Sequence, residues 1–130
     1  MRKSHRLLLL TLLILSLLLT ACLKVENSPA NTVQAYWQAV VARDRDTVSQ
    51  LACADYEAIA LNNYDSFQSV EIKLEGLNCV TSEQPDGSAE VNCSGLLKAS
   101  YGAEDTDFDL SIYTYQMVND KGSWLICGEK

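Results

Sequence analysis

The sequence predicts an α+β domain in which N-terminal helices pack on an antiparallel meander sheet, stapled by disulfides. Three observations carry that prediction. Val33, Tyr36, Trp37, Val40 and Val41 recur at i, i+3, i+4, i+7 and i+8, which is one stripe of a helix. From Phe67 onward the hydrophobic period falls toward 2, with turn residues at regular intervals, as in a meander. Four cysteines, Cys53, Cys79, Cys93 and Cys127, lie where strand register can pair them.

The elements follow in order. Ser28 supplies an N-cap oxygen and Pro29 takes the first helical position, where its missing N–H costs nothing. The first helix then runs to about Ala42. Arg43-Asp44-Arg45-Asp46 is a solvated turn, and Asp46 or Thr47 caps a second helix carrying Val48, Leu51 and Ala52. Tyr56, Ile59 and Ala60 suggest a third helical segment, ended by Asn62-Asn63. In the sheet region Val70, Ile72 and Leu74 alternate with Glu71, Lys73 and Glu75, and Gly76 marks a bulge. Leu77 to Ser82, Ala89 to Tyr101, Phe108 to Val118 and Ser123 to Cys127 are the remaining strands. Pro85-Asp86-Gly87, Gly102 to Asp105 and Asn119 to Gly122 are their turns.

Residues facing each other across a hairpin are found by reflection about its turn. Reflection about Asp86 sets Cys79 opposite Cys93. Reflection about residues 103 and 104 sets Cys93 opposite Thr114, and about 120 and 121 sets Thr114 opposite Cys127. Cys93 and Cys127 then lie two strands apart, ~9–10 Å at ~4.8 Å per strand, beyond the ~7 Å reach of a disulfide. Of the three connectivities, Cys79–Cys93 with Cys53–Cys127 is preferred. The same reflection gives an inner face of Val91, Cys93, Gly95, Leu97, Ala99 and Tyr101, then Phe108, Leu110, Ile112 and Thr114, then Leu125 and Cys127. It leaves Tyr113, Tyr115 and Met117 as an outer stripe, a surface for a protein partner or a second copy.

Ahead of the domain, Arg2, Lys3 and Arg6 precede thirteen residues, Leu7 to Leu19, that are all Leu or Ile except Thr11 and Ser16. That is a charged n-region and an apolar h-region too short to span a bilayer, so residues 1–21 are expected to be a cleaved signal peptide. Leu19-Thr20-Ala21-Cys22 resembles the lipobox of bacterial lipoproteins. The resemblance implies a diacylglyceryl group on Cys22, anchoring the chain to a membrane of the bacterial cell envelope and facing the periplasm or exterior. Leu23, not Asp, follows Cys22, so the inner-membrane retention signal of some diderm bacteria is absent. Residues 22–28 then form the lipidated cysteine and a short tether, and 29–130 a single α+β domain. Removal of residues 1–21 takes three of the ten basic residues and none of the seventeen acidic ones, leaving seven against seventeen, a net charge of −10. Such a surface repels nucleic acid and anionic lipid.

Pro29, Val33, Tyr36-Trp37-Gln38-Ala39-Val40, the charged break Ala42-Arg43-Asp44, and a last strand in Gly122-Ser123-Trp124-Leu125-Ile126-Cys127-Gly128 resemble the small lipoprotein branch of the nuclear-transport-factor-two-like superfamily. The resemblance spans residues 29–128. It implies the cystatin-like or ketosteroid-isomerase-like cone: a curved antiparallel sheet wrapped on a long first helix. Lipidated members mostly have no assigned activity.

Enzymes of that fold place Asp or His in the cone with Tyr as hydrogen-bond donor. The chain's one histidine is His5, inside the signal, so a histidine base is excluded from the processed protein. An Asp–Tyr pair could draw on Asp55, Tyr56, Tyr101 or Tyr113, but no catalytic or cofactor motif stands out, and the expectation is a non-enzymatic module. Glu104-Asp105-Thr106-Asp107-Phe108-Asp109 lacks the glycine and distal Glu of a calcium loop and reads as a solvated edge. Asn92-Cys93-Ser94 matches a glycosylation triplet only formally. Tyr36, Trp37, Tyr101 and Trp124 are the candidate pocket residues, with a filled core as the commoner role for such aromatics.

Overall fold

The computed structural model describes residues 27–130; the expected signal peptide at 1–21, Cys22 and all but the end of the expected tether at 22–28 lie outside the described residues. Three helices, α1 (Pro29–Ala42), α2 (Arg45–Gln50) and α3 (Glu57–Asp65), pack on a five-stranded antiparallel sheet. Its strands are β1 (Glu71–Glu83), β2 (Ala89–Ser100), β3 (Asp105–Asp109), β4 (Thr114–Asp120) and β5 (Ser123–Glu129).

Helix α1 begins where its sequence directs: the Ser28 hydroxyl accepts from the Asn31 N–H at 3.2 Å, and Pro29 is the first helical residue. Val33, Tyr36, Trp37 and Val40 are 5% exposed or less. Burial of side chains of that size contributes roughly 1.5–3 kcal/mol each and holds the helix on the sheet. The helix ends at Arg43, whose left-handed backbone (φ 60°) turns the chain. The Arg43 guanidinium then donates to the carbonyls of Phe67 (3.1 Å), Gln68 (2.9 Å) and Val70 (2.7 Å), and the Tyr64 hydroxyl donates to the Arg43 carbonyl at 3.1 Å. One cationic side chain thus ties the end of α1 to the entry of β1.

Two helix boundaries differ from the sequence expectation. Asp44, not Asp46 or Thr47, caps α2, accepting from the Thr47 N–H at 3.1 Å. Asn62 and Asn63 lie within α3 instead of ending it, because Tyr64 buries its ring and carries the helix one turn further.

The sheet runs β1-β2-β4-β5, with β3 also paired to β2. β1 is one continuous strand with a register shift between Glu75 and Asn78, the bulge expected at Gly76. Beyond the bulge Cys79 faces Cys93. Gly95 lies across from it with φ 114°, where a Cβ would stand 2.8 Å from the carbonyl oxygens of Glu75 and Gly76. Both disulfides are formed: Cys79–Cys93 with Cα atoms 4.0 Å apart, and Cys53–Cys127 with Cα atoms 5.2 Å apart. Such bonds accord with an oxidising, extracytoplasmic compartment.

The expected single strand from Phe108 to Val118 is instead two strands separated by a 3₁₀ turn at Leu110–Ile112, capped by the Asp109 carboxylate accepting from the Ser111 N–H at 2.9 Å. The turn returns the chain one residue out of the expected phase. Asn92, not Cys93, faces Thr114; Val91 faces Tyr115; Ala89 faces Met117. A one-residue slip exchanges the faces of a strand. Tyr115 and Met117 are therefore fully buried and Tyr113 is half-buried, so the predicted outer stripe Tyr113, Tyr115, Met117 is not a partner surface. Conversely Ile112 (67% exposed) and Tyr101 (50%) leave the predicted inner face. On β5 the core residue is Ile126, opposite Met117, instead of Leu125 or Cys127.

The outer edge of β5 is covered by the chain between α2 and α3. The Ile126 N–H donates to the Leu51 carbonyl at 2.8 Å and the Cys53 N–H to the Ile126 carbonyl at 2.9 Å, a short parallel bridge locked by Cys53–Cys127.

Candidate functional site: a buried tyrosine cluster

Three tyrosines from different elements meet between helix and sheet. Tyr36 comes from the α1 stripe, Tyr56 from the turn before α3 and Tyr115 from β4, and each is at most 1% exposed. Trp37 stands edge-on to Tyr36, with ring centroids 5.2 Å apart, and its indole N–H donates to the Tyr115 hydroxyl at 3.0 Å. The hydroxyls of Tyr36 and Tyr56 are buried without a protein hydrogen bond of good geometry. Asn63 reaches toward the first and the Glu129 carboxylate toward the second. Glu129 is brought there by β5, where it lies opposite Tyr115.

Loss of solvation dominates the electrostatics. It pushes the Tyr36 hydroxyl up to about 12, against a smaller lowering from Asn63. Burial raises Tyr56 further, reinforced by the adjacent Glu129, and raises Tyr115 despite the Trp37 bond. All three hydroxyls stay protonated at neutral pH and act only as hydrogen-bond donors and acceptors.

Of the four candidate pocket residues, Tyr36 and Trp37 meet in this cluster. Tyr101 lies apart, half-exposed at the end of β2, and Trp124 is half-buried against the core from β5. Asp55 is exposed in the turn before α3 and is not in the cone. Sequence reasoning missed Tyr115, Glu129 and Asn63: the first was assigned to the wrong face, and the other two carry no local pattern.

Hollows open at the surface among the described residues. A groove of about 250 Å³ lies over Glu71, Lys73, Lys98, Asp105 and Asp107, where Lys98 pairs with Asp107 at 2.9 Å. A wider basin of about 580 Å³ is lined by the β1–β2 hairpin from Gln84 to Ser88 with Glu90, Gln116, Val118 and Cys127. Glu104 to Asp107 and Asp109 are exposed, as the reading of a solvated edge requires. Among the described residues no helix is long and apolar enough to cross a membrane.

No protein-family model matches the chain, and no curated protein matches it. Solved structures share its fold. A SEC-C motif containing protein from Rhodopseudomonas palustris is 14% identical, with 80% of this chain and 78% of that one covered at a TM-score of 0.56. Aln2 from a Streptomyces species is 10% identical over 75% and 82%, TM-score 0.55. The intermembrane space region of the chloroplast protein ARC6 is 12% identical over 77% and 90%, TM-score 0.57. At such identities the likeness is one of fold alone.

Proposed function

We propose that the chain is a lipid-anchored bacterial envelope protein, tethered through Cys22, whose extracytoplasmic domain is a non-enzymatic binding or assembly module. The observation that carries this reading is the filled cone. Tyr36, Trp37, Tyr115 and Met117, each 5% exposed or less, occupy the space between α1 and the sheet where a small molecule would otherwise sit. Recognition then falls to the surface. The Asn27 side chain donates to the Gly122 carbonyl, so the tether enters beside the β4–β5 turn and that end of the domain faces the bilayer. The outer sheet face stays free for a protein partner or a second copy. Its middle row, Val80, Asn92 and Thr114, is uncharged in an acidic chain, with Val80 60% exposed.

The test has two arms. Palmitate labelling of cells should label the parent and not Cys22→Ser; equal label removes the anchor. A photo-crosslinker at Val80 should capture a discrete envelope protein or a second copy, while one at Glu104 should not. Equal or absent capture at both sites removes the assembly surface.

A second reading, a small-molecule enzyme of the isomerase or cyclase type, is favoured by the unpartnered hydroxyls of Tyr36 and Tyr56. Its acid would be Glu129 in place of the expected Asp55. A turnover found in a ligand screen and abolished by Glu129→Gln would establish it over the first reading.

A further inference from the structure

The two disulfides occupy different environments. Cys79 and Cys93 are 8% and 3% exposed, facing each other on the inner side of the sheet. Cys53 and Cys127 are half-buried, and Cys127 lines the basin under the β1–β2 hairpin. Thiol–disulfide exchange needs a thiolate in line with an accessible sulfur. An attacking thiol can approach Cys127 in the folded domain, whereas Cys79–Cys93 is covered by helix and sheet.

The backbone around the accessible bond couples it to the tyrosine cluster. Cys53 bonds to β5 through its N–H, and its carbonyl accepts the N–H groups of Tyr56 at 2.9 Å and Glu57 at 3.0 Å, which starts α3. Tyr56 follows Cys53 by three residues, and Glu129, which reaches its hydroxyl, follows Cys127 by two. The disulfide therefore clamps both sides of the Tyr56–Glu129 contact.

We propose that Cys53–Cys127 is a redox-modification site. A small dithiol donor entering the basin opens this bond in the folded domain while Cys79–Cys93 stays closed, and opening releases the strap Leu51–Tyr56 from β5. The donor's thiolate attacks Sγ of Cys127; the Cys53–Cys127 bond breaks, its electron pair leaving on Cys53 Sγ, which takes a proton. The donor's second thiolate attacks the donor sulfur of the mixed disulfide and expels Cys127 as a thiolate, which is protonated in turn. The donor leaves as its cyclic disulfide, having supplied two electrons and two protons. Of the carboxylates lining the basin, Glu90 is paired with Lys130 at 2.6 Å, and Asp86 is left to repel an anionic monothiol, so a dithiol with a neutral body is preferred.

The full chain, purified oxidised in detergent, would be treated with limiting dithiothreitol, alkylated at intervals and mapped by peptide mass spectrometry. Cys53 and Cys127 should be alkylated about tenfold or more faster than Cys79 and Cys93, in keeping with the accessibility dependence of exchange. The far-ultraviolet circular dichroism should persist, and one more tyrosine should ionise in the ordinary range near pH ~10 once the strap is free. Equal rates, earlier opening of Cys79–Cys93, or loss of the helical signal in step with alkylation would each overturn the proposal. So would a tyrosine titration unchanged by selective reduction.

Discussion

The same substitution, Tyr→Phe, should destabilise at one position of the cluster and be neutral or stabilising at the other two. Each change keeps the ring and deletes a hydroxyl, so packing is conserved and only the hydrogen-bonding balance moves. At Tyr115 the hydroxyl accepts the Trp37 indole N–H at 3.0 Å inside the core. Tyr115→Phe leaves that N–H buried without an acceptor, a cost of about 1–3 kcal/mol. In a domain of this size each kcal/mol lowers the melting temperature by roughly 4–8 °C. At Tyr36 and Tyr56 the hydroxyl is buried without a well-shaped bond. Its removal relieves a desolvation cost of order 1–3 kcal/mol, offset by whatever Asn63 and Glu129 return. Tyr36→Phe and Tyr56→Phe are therefore expected to be neutral, or stabilising by up to about 1 kcal/mol. Urea unfolding of the oxidised protein, followed by tryptophan fluorescence, measures all three. A loss of about 1 kcal/mol or more at Tyr36 or Tyr56 would refute the reasoning, because it would mean the hydroxyls are well bonded in solution. A neutral Tyr115→Phe would refute the buried Trp37–Tyr115 bond.

Three further outcomes are expected. The raised tyrosines make stability pH-dependent in one direction: it is fully present below the unfolded tyrosine value of about 10 and falls as pH rises toward the folded values. For Tyr36 that window is about 10 to about 12, and the unfolding free energy should drop by about 1.4 kcal/mol per pH unit for each buried tyrosine, read as a falling urea midpoint. A midpoint flat between pH ~9 and ~11 would contradict the burial of these hydroxyls. Arg43→Ala removes three donated bonds to the Phe67–Val70 segment and should cost about 2–3 kcal/mol. Arg43→Lys should lie nearer to Ala than to the parent in thermal unfolding, since one ammonium cannot span three carbonyls. Gly95→Ala places a methyl 2.8 Å from two carbonyl oxygens at φ 114° and should cost about 2 kcal/mol or more. At Gly128 the added Cβ meets the Gln116 Oε1 at 2.6 Å, the movable end of a side chain, so Gly128→Ala should cost clearly less in the same assay.

Helix α1, the bulge at Gly76 and the Cys79–Cys93 pair were legible in the residues because each rests on short-range chemistry; the Cys53–Cys127 bond was reached by elimination across two hairpins, although Thr114 faces Asn92 and not Cys93. A cap hydroxyl stands three residues from the N–H it accepts, a glycine relieves the backbone where it sits, and a short hairpin transmits register over few residues. The charged edge at Glu104–Asp109 was legible for the same reason. The boundaries of α2 and α3 were less so. Asp44 and Asp46 are equally good caps by type, and only the packing of Val48 and Tyr64 chooses between the frames.

The layer order, helices and then a disulfide-stapled meander, could be read from the residues alone, as could a fifth cysteine, Cys22, that stands apart from the four paired ones. Which face of residues 108–118 turns inward emerged only in the folded chain. Phe108, Leu110 and Ile112 on one parity and Tyr113, Tyr115 and Met117 on the other are both apolar enough to fill a core, so periodicity cannot rank them. The 3₁₀ turn at Leu110–Ile112 settles it by taking up the chain between β3 and β4 and moving β4 one residue along β2. That step buries Tyr115 and Met117, and a second register shift, between Gln116 and Met117 in the β4–β5 pair, sets Glu129 opposite Tyr115; together they build the cluster that no local stretch of sequence encodes. The physical reason is the two-residue repeat of a strand: register is a long-range quantity, and an error of one residue anywhere upstream exchanges core for surface.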